Sequence, residues 1–322
     1  MQLSLGHLIA FDQDFPNTNI KLKNNAGIWT TKLDGPSIKG VVVPAYKGKA
    51  LDLKFDHLFL TSSTTDDGSK KSVSMSPADI PILDFSTQKL VVNDHNYGAW
   101  STLTERSDKG IIFRKIKGKV ADSTIKGQLN WQLYAEGHHN SILTLDTKGE
   151  TIEGLLTAFD IEPLMTSKRF SSALAFVWPD TPLDFSFEYL SGKFSLEMED
   201  GSLKTADEKT GVLKIFGILN SDAILRRLKL DFTDLYKSGI SYDSLKLTST
   251  VNQGLLTLDK PLTIDGPSGD YVINGETNLH KETLDLELLL EIPFSQNVPL
   301  AALALGVPQI GGAVWLVDKL LG

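Results

Sequence analysis

Apolar and polar residues alternate with a period of two along much of this chain. In the segment TLDLELLLEI, the acidic residues Asp285, Glu287 and Glu291 occupy one face. The opposite face is apolar, with Leu284, Leu286, Leu288, Leu290 and Ile292. Because successive side chains of a strand point to opposite faces, the pattern predicts strands with one apolar and one polar face. Such strands are typical of antiparallel sheets.

Two further segments have the same pattern. ALDLKFDHLFL places Leu51, Leu53 and Phe55 on one face. DFSFEYLSGKFSLEMEDG predicts a strand around Asp184–Glu188, a second strand that follows it, and a turn at Asp200-Gly201. Its apolar positions include Phe185, Phe187, Phe194, Leu196 and Met198.

Three segments share a weak internal similarity. Gly35–Gly40 reads GPSIKG, Asp122–Gly127 reads DSTIKG, and a third version runs from Gly266 to Gly275. Each segment lies between two predicted strands, which suggests a repeated meander.

Helical patterns interrupt the strands at three places. They predict a short helix over Thr151–Phe159, two helices over Thr210–Leu228, and two short apolar helices over Pro299–Leu321. The polar stretch from Thr61 to Ser76 predicts a loop. The expected fold is therefore mainly β, with a few short α-helices, the last of them apolar and C-terminal. We divide the chain into residues 1–148 and 149–322, which are expected to share one continuous sheet.

Composition excludes several kinds of chemistry. The 322 residues include no cysteine, which removes disulfides and thiolate sites, and the net charge of −8 disfavours nucleic acid as a partner. No nucleophile elbow, phosphate-binding loop or H-E-x-x-H motif is present, and the six histidines are scattered. We therefore expect no enzyme, no cofactor and no metal site. The N-terminus lacks the features of a signal peptide, and we expect a fragment of a longer chain.

The apolar stripes allow two interpretations from pattern alone. They form either the closed core of a β-sandwich, which is the more common outcome, or the lining of an open groove for an apolar ligand. The hypothesis of a hydrolytic or carbohydrate-active protein rests only on the abundance of Asp and Glu. Arg226 and Arg227 either hold a phosphate or headgroup or pair with nearby Asp231 or Asp234.

The segment from Gly211 to Leu245 favours the open groove. It resembles the C-terminal signature of the YhdP family, which are AsmA-like proteins of Gram-negative bacteria. Counterparts of the family's R-R-L-x-L-D-F-x-D-L core and the following G-x-x-Y-D are Arg226, Arg227, Leu228, Leu230, Asp231, Phe232, Asp234, Leu235, Gly239, Tyr242 and Asp243. The similarity continues through LTIDGPSGDYVINGETNLHKETLDLELLLEIP into the apolar tail.

The resemblance implies a fold and a function. Proteins of this family are anchored in the inner membrane by an N-terminal helix, which this sequence lacks. They cross the periplasm as a curved antiparallel sheet, a half-pipe with a hydrophobic concave face, and are implicated in carrying phospholipid towards the outer membrane. The implied lining residues for acyl chains are Phe185, Phe187, Phe194, Leu196, Met198, Leu284, Leu286, Leu288 and Leu290.

The apolar tail has two expected roles. It either plugs the end of the groove or contacts the outer-membrane surface or an envelope protein there. The tail residues expected to make this contact are Leu303, Val314, Trp315, Leu316 and Leu320. The alternative function is a structural or protein-interaction β-sandwich module of the envelope that carries no lipid.

Overall fold

The structure is a computed structural model that describes residues 1–10, 13–61, 75–203, 240–267 and 269–291. Contacts divide these residues into two units. Unit 1 comprises Met1–Thr147, Gly154–Ile161 and Pro179–Phe185. Unit 2 comprises Lys148–Glu153, Glu162–Trp178 and the described residues from Ser186 onwards. The sequence-based division at residue 148 stays a prediction.

Unit 1 is built from ten strands in chain order. They are β1 Gln2–Ala10, β2 Gln13–Asn25, β3 Ile28–Asp34, β4 Ile38–Val43, β5 Leu51–Leu60, β6 Leu83–Val92, β7 His95–Ser107, β8 Gly110–Val120, β9 Ser123–Leu133 and β10 His139–Gly149. Each strand pairs with the next one along the chain. The described strands of unit 1 therefore form one ladder in sequence order.

One pair in this ladder departs from the predicted antiparallel meander. Strands β5 and β6 are parallel, with Leu53 opposite Phe85 and Leu58 opposite Leu90. A parallel pair cannot be closed by a tight hairpin, because the chain must return along the length of the sheet before the second strand begins. Residues 61–82 join the two strands, and of these the structure describes Thr61 and residues 75–82.

Unit 2 contains the remaining eight strands. They are β11 Met165–Thr166, β12 Arg169–Pro179, β13 Ser191–Leu203, β14 Ile240–Asn252, β15 Leu255–Leu258, β16 Leu262–Asp265, β17 Asp270–Asn278 and β18 Thr283–Glu291. Strands β11 and β12 both pair with β13, which pairs with β14. Strands β15 and β16 together bridge β14 to β17, and β17 pairs with β18. All these pairs are antiparallel, so the prediction of a mainly β, antiparallel fold is confirmed.

The described residues contain one α-helix, α1 Ile152–Ala158, where the sequence predicts a helix over Thr151–Phe159. They also contain two short 3-10 helices, Pro77–Asp79 and Phe187–Tyr189. The helices predicted over Thr210–Leu228 and Pro299–Leu321 lie outside the described residues.

The strand predicted around Asp184–Glu188 is wrong. This segment forms turns and then enters the 3-10 helix Phe187–Tyr189. The Thr181 hydroxyl donates to the Asp184 carboxylate at 2.7 Å, and the Ser186 hydroxyl accepts from the Glu188 amide at 3.2 Å. Such local bonds satisfy polar groups without a strand partner, and here they override a pattern with the right period.

The turn predicted at Asp200-Gly201 is also wrong. Strand β13 continues to Leu203, and its pairing with β14 continues beyond this point, with Gly201 opposite Tyr242. Asp200 takes a left-handed conformation with φ of 50°. The alternation changes phase there, since buried Met198 and buried Leu203 are an odd number of positions apart and yet lie on the same side. The turn-like sequence therefore marks an irregularity inside a strand.

The last glycines of the three weakly repeated segments share the same structural role. A Cβ at Gly40, Gly127 or Gly275 would lie 2.3, 2.0 or 2.1 Å from a carbonyl oxygen of the adjacent strand. At Gly127 it would also meet the Leu145 side chain at 2.6 Å. These glycines let a neighbouring strand and its large apolar side chain approach closely.

We predict that Gly127→Ala destabilises the protein, by about 1–3 kcal/mol, because the added methyl group forces β9 away from β10. Gly6→Ala is the matched control, since a Cβ at Gly6 meets nothing within 4 Å. Urea denaturation of both variants measures the difference. Equal midpoints for the two variants would contradict the close approach at Gly127.

Candidate functional site

The most distinctive surface of unit 2 is one side of its sheet. Residues paired across adjacent strands lie on the same side, so the strand registers define this side from β12 to β18. For example, Leu174 pairs with Phe194, Met198 pairs with Leu245, and Leu245 pairs with Ile264. We call this side the unit 2 apolar face; its members are Phe170, Leu174, Phe176, Phe194, Leu196, Met198, Tyr242, Leu245, Leu247, Val251, Leu256, Leu258, Leu262, Ile264, Tyr271, Ile273, Leu284, Leu286, Leu288 and Leu290.

The other side of the same strands is polar. Arg169 forms an ion pair with Glu199 across β12 and β13. On β14 the Ser244 hydroxyl donates to the Asp265 carboxylate at 2.7 Å. Asp285 and Glu287 point to this side from β18, because their neighbours Leu284 and Leu286 belong to the apolar face. The unit 2 sheet therefore has one apolar side and one polar side.

Three buried hydroxyl groups on the apolar sides of the two units donate to main-chain carbonyls. Ser249 is 1% exposed, and its hydroxyl donates to the Phe194 carbonyl at 3.4 Å. In unit 1 the buried Thr18 and Thr87 hydroxyls likewise donate to the carbonyls of Phe15 and Lys89. These bonds satisfy the three hydroxyl groups locally, so burial on an apolar side leaves none of them without a partner.

Tyr242 lies on the unit 2 apolar face near the start of β14. Its hydroxyl donates to the Thr166 carbonyl and lies 3.6 Å from the Met198 sulfur. A Cβ at Gly201 would lie 2.5 Å from the Tyr242 oxygen, so the glycine makes room for the ring. Burial, with a smaller contribution from the Glu153 carboxylate, raises the pKa of Tyr242 well above its ordinary value.

Unit 1 has a corresponding apolar face. Leu33 pairs with Gly40 and Gly40 with Phe55, and the Phe55 and Phe85 rings lie 6.2 Å apart. Across β8 and β9, Ile111 pairs with Trp131. We call these side chains the unit 1 apolar face; its members are Leu8, Phe15, Ile20, Leu33, Ile38, Val42, Leu53, Phe55, Leu58, Phe85, Trp100, Ile111, Phe113, Ile125, Leu129 and Trp131.

The unit 1 sheet curls towards its apolar face. The Gln13 side chain on β2 donates to the Thr61 carbonyl at 2.9 Å and accepts from the Thr61 amide at 2.7 Å. Thr61 directly follows β5, three strands away, which in a flat sheet is about 14 Å. Phe15 and Phe55, on the same two strands, belong to one buried cluster. Strands β2 to β5 therefore form a concave apolar surface.

The structure brings together seven of the nine residues that the sequence predicts as lining. Phe194, Leu196, Met198, Leu284, Leu286, Leu288 and Leu290 all lie on the unit 2 apolar face. Phe185 and Phe187 lie in the connection between β12 and β13, where their side chains are 44% and 38% exposed. The predicted tail contacts Leu303, Val314, Trp315, Leu316 and Leu320 lie outside the described residues. Lipid contact at all these positions stays a prediction.

Sequence reasoning missed much of the unit 1 apolar face and the polar side chains that reach over it. The alternation in β5 indicates one strand of that face, whereas glycines and bulges interrupt the pattern in β7 and β8. Nothing in the local sequence distinguishes Gln13 or Arg106 from ordinary surface residues.

The described residues contain no group of three or more His, Asp or Glu residues that could bind a metal ion. Within the same ranges, no helix has the length and apolar character needed to span a bilayer. Ionisable groups lie mainly on the polar side of the strands, where Glu105 pairs with Arg114 and Asp52 with Lys54.

Comparison with known proteins agrees with this arrangement. The sequence matches the YhdP protein family over residues 1–322, its full length. The chain belongs to the YhdP family. The resemblance indicated by the sequence motifs is thereby confirmed.

Among curated YhdP relatives, the chain is similar to a protein of Escherichia coli (strain K12) named intermembrane phospholipid transporter YhdP. The two are 25% identical over 187 residues, which is 58% of this chain and 14% of the E. coli protein. The chain therefore matches only a small part of that relative's length. No solved structure matches the chain.

We predict that Tyr242→Phe lowers the free energy of unfolding by about 1 kcal/mol at neutral pH, through loss of the bond to Thr166. The variant also changes the response to alkali. Because the folded-state pKa of Tyr242 is raised, the neutral phenol favours the folded state, and this contribution is lost as pH rises above about 10. Denaturation between pH 9 and 11.5 should show a steeper loss of stability in the wild type than in Tyr242→Phe. Parallel profiles would contradict the burial of the phenol.

Proposed function

We propose that this chain is part of a periplasmic lipid-transfer conduit, in which phospholipid acyl chains move along the apolar faces between inner and outer membrane. The observation that carries the proposal is that the described strands of each unit form a single ladder with one apolar side. A β-sandwich needs a second sheet packed against that side, and none of the described strands within either unit forms one. This argues against a two-sheet sandwich module and supports a conduit.

The energetics favour a continuous apolar surface. Exposing one methylene to water costs about 0.8 kcal/mol, so a 16-carbon acyl chain costs roughly 12 kcal/mol. A surface of Leu, Ile and Phe replaces the bilayer contacts as a chain leaves the membrane. Because apolar contact is non-directional, the chain can slide without crossing a large barrier at each strand.

The polar side of the strands completes the mechanism. Ion pairs and carboxylates keep the outside of the sheet hydrated, while a headgroup at the rim of the apolar face stays in water. Transfer of this kind makes and breaks no covalent bond, so the chain has no need of a catalytic residue, a metal or a cofactor. The proposal is therefore a transporter and not an enzyme.

The comparisons support the same proposal. The E. coli relative is named an intermembrane phospholipid transporter, and we extend that description to this chain. A place between two membranes implies the periplasm of a Gram-negative bacterium, with the rest of the protein supplying the membrane anchor. Contact of the apolar C-terminal tail with the outer membrane or an envelope protein belongs to this proposal.

A pair of adjacent leucines on β18 tests the function. Leu288 belongs to the apolar face and pairs with Ile273, whereas Leu289 points to the polar side and pairs with Val272. Both are partly buried. We predict that Leu288→Asp lowers the amount of co-purified phospholipid several-fold, because a carboxylate interrupts the apolar surface. Leu289→Asp should retain phospholipid at nearly the wild-type level.

Lipid extraction and mass spectrometry of the purified, folded variants measure the difference, and transport by the full-length protein carrying each variant provides the cellular test. Equal phospholipid content in the two folded variants, or wild-type protein without lipid, would refute the conduit and favour the interaction module.

A further inference from the structure

The two described ends of the connection between the parallel strands β5 and β6 both lie beside the unit 1 apolar face. We propose that residues Met75–Ile82, which we call the strap, restrict the access of acyl chains to the part of this face formed by β7–β9. Arg106 is the positioning residue that holds the strap there. The inference rests on the proposed lipid function and adds a control point to it.

The first end of the connection is fixed beside the apolar face. Gln13 shares the side of Leu8 and Phe15, because Ala10 pairs with Gln13 and Leu8 with Phe15. Its amide exchanges two hydrogen bonds with the Thr61 backbone, as described above. The chain therefore leaves β5 on the apolar side of the sheet.

The strap itself is held by Arg106. This residue lies on the apolar side of β7, since it pairs with Ile111, whereas Glu105 and Arg114 share the polar side. The Arg106 guanidinium donates to the Pro77 carbonyl, to the Ala78 carbonyl at 3.0 Å and to the Ile80 carbonyl at 2.6 Å. The planar fork of arginine can reach three carbonyls at once, which a lysine cannot do with the same geometry.

The strap also has internal order. The Ser76 hydroxyl accepts from the Ala78 amide at 3.3 Å, and the Asp79 carboxylate accepts from the Ser76 amide at 2.8 Å. These two bonds form a capping box, and Pro77 at the start of the 3-10 helix limits its backbone. At the far end, the Thr104 hydroxyl donates to the Pro81 carbonyl at 2.8 Å.

The strap lies against β8 and β9 and covers apolar side chains there. Pro77 is buried, and the 3-10 helix contacts β8 and β9. Ile111 and Trp131 lie opposite each other near the end of these strands, yet they are only 0% and 2% exposed. An acyl chain cannot lie on this part of the face while the strap occupies it, so the Arg106 bonds must break or the lipid must pass beside it.

Site-specific photo-crosslinking to bound phospholipid tests the strap. A benzophenone amino acid replaces Leu129, which pairs with Phe113 beside the covered pair, or Leu288 on the unit 2 apolar face. In purified chain loaded with phospholipid vesicles, we expect efficient crosslinking at Leu288 and little at Leu129. Arg106→Gln should raise crosslinking at Leu129 at least threefold and leave Leu288 unchanged.

Two further variants make the result specific. Ser76→Ala removes one bond of the capping box away from the apolar face and should raise crosslinking at Leu129 to a smaller extent. Arg169→Gln removes an arginine of the polar side and should change neither position. Hydrogen exchange should show faster exchange in residues 75–82 of Arg106→Gln, with β7–β9 still protected.

The outcomes separate the two proposals. Crosslinking at Leu288 with no increase at Leu129 in either strap variant would overturn the strap while the conduit stands. No lipid crosslink at either position, in any variant, would overturn the conduit and the strap with it. An increase at Leu129 that Arg169→Gln reproduces would also overturn the specific role of Arg106.

Discussion

The whole architecture depends on cross-strand register, because the side-chain period of a strand is two. A slip of one residue between β17 and β18 would place Asp285 and Glu287 beside Ile273 and move four leucines to the polar side. The segregation of apolar and polar residues both requires the register and stabilises it, since a slip of one residue would move the carboxylates to the apolar side. At irregular positions such as Asp200, the alternation of buried and exposed residues shifts by one residue. The paired strand β14 shifts in the same way between Tyr242 and Leu245, so the two strands stay in register.

Regular alternation made part of this arrangement predictable. Strands such as β5 and β18, the helix α1 and the apolar side of the sheet on which seven of the predicted residues lie follow from period and propensity. Phe185 and Phe187 follow the same period, yet local hydrogen bonds of Thr181 and Ser186 direct their segment into turns. Period two describes where side chains would point in a strand, but it does not determine whether the backbone finds a strand partner.

Other features depend on contacts that no local pattern contains. The alternation within β5 and β6 does not show that the two strands pair in parallel. Arg106 acquires its role only through three carbonyls 26 to 29 residues earlier in the chain. The role of the glycines in the repeated segments was only partly predictable. Their recurrence is visible in the sequence, whereas the carbonyl and the bulky neighbour that each one accommodates appear only in the structure.

A sheet with one apolar side must cover that side, and the covering determines the function. A second sheet would give permanent burial and a scaffold, whereas a mobile lipid gives burial that can be exchanged. The strap is a third solution, applied locally: it is a peptide cover held by charge-assisted hydrogen bonds rather than by apolar packing alone. Such bonds can be replaced by water, so this cover can open without unfolding the strands beneath. An apolar face closed in this way would remain soluble when empty and accept an acyl chain when one arrives.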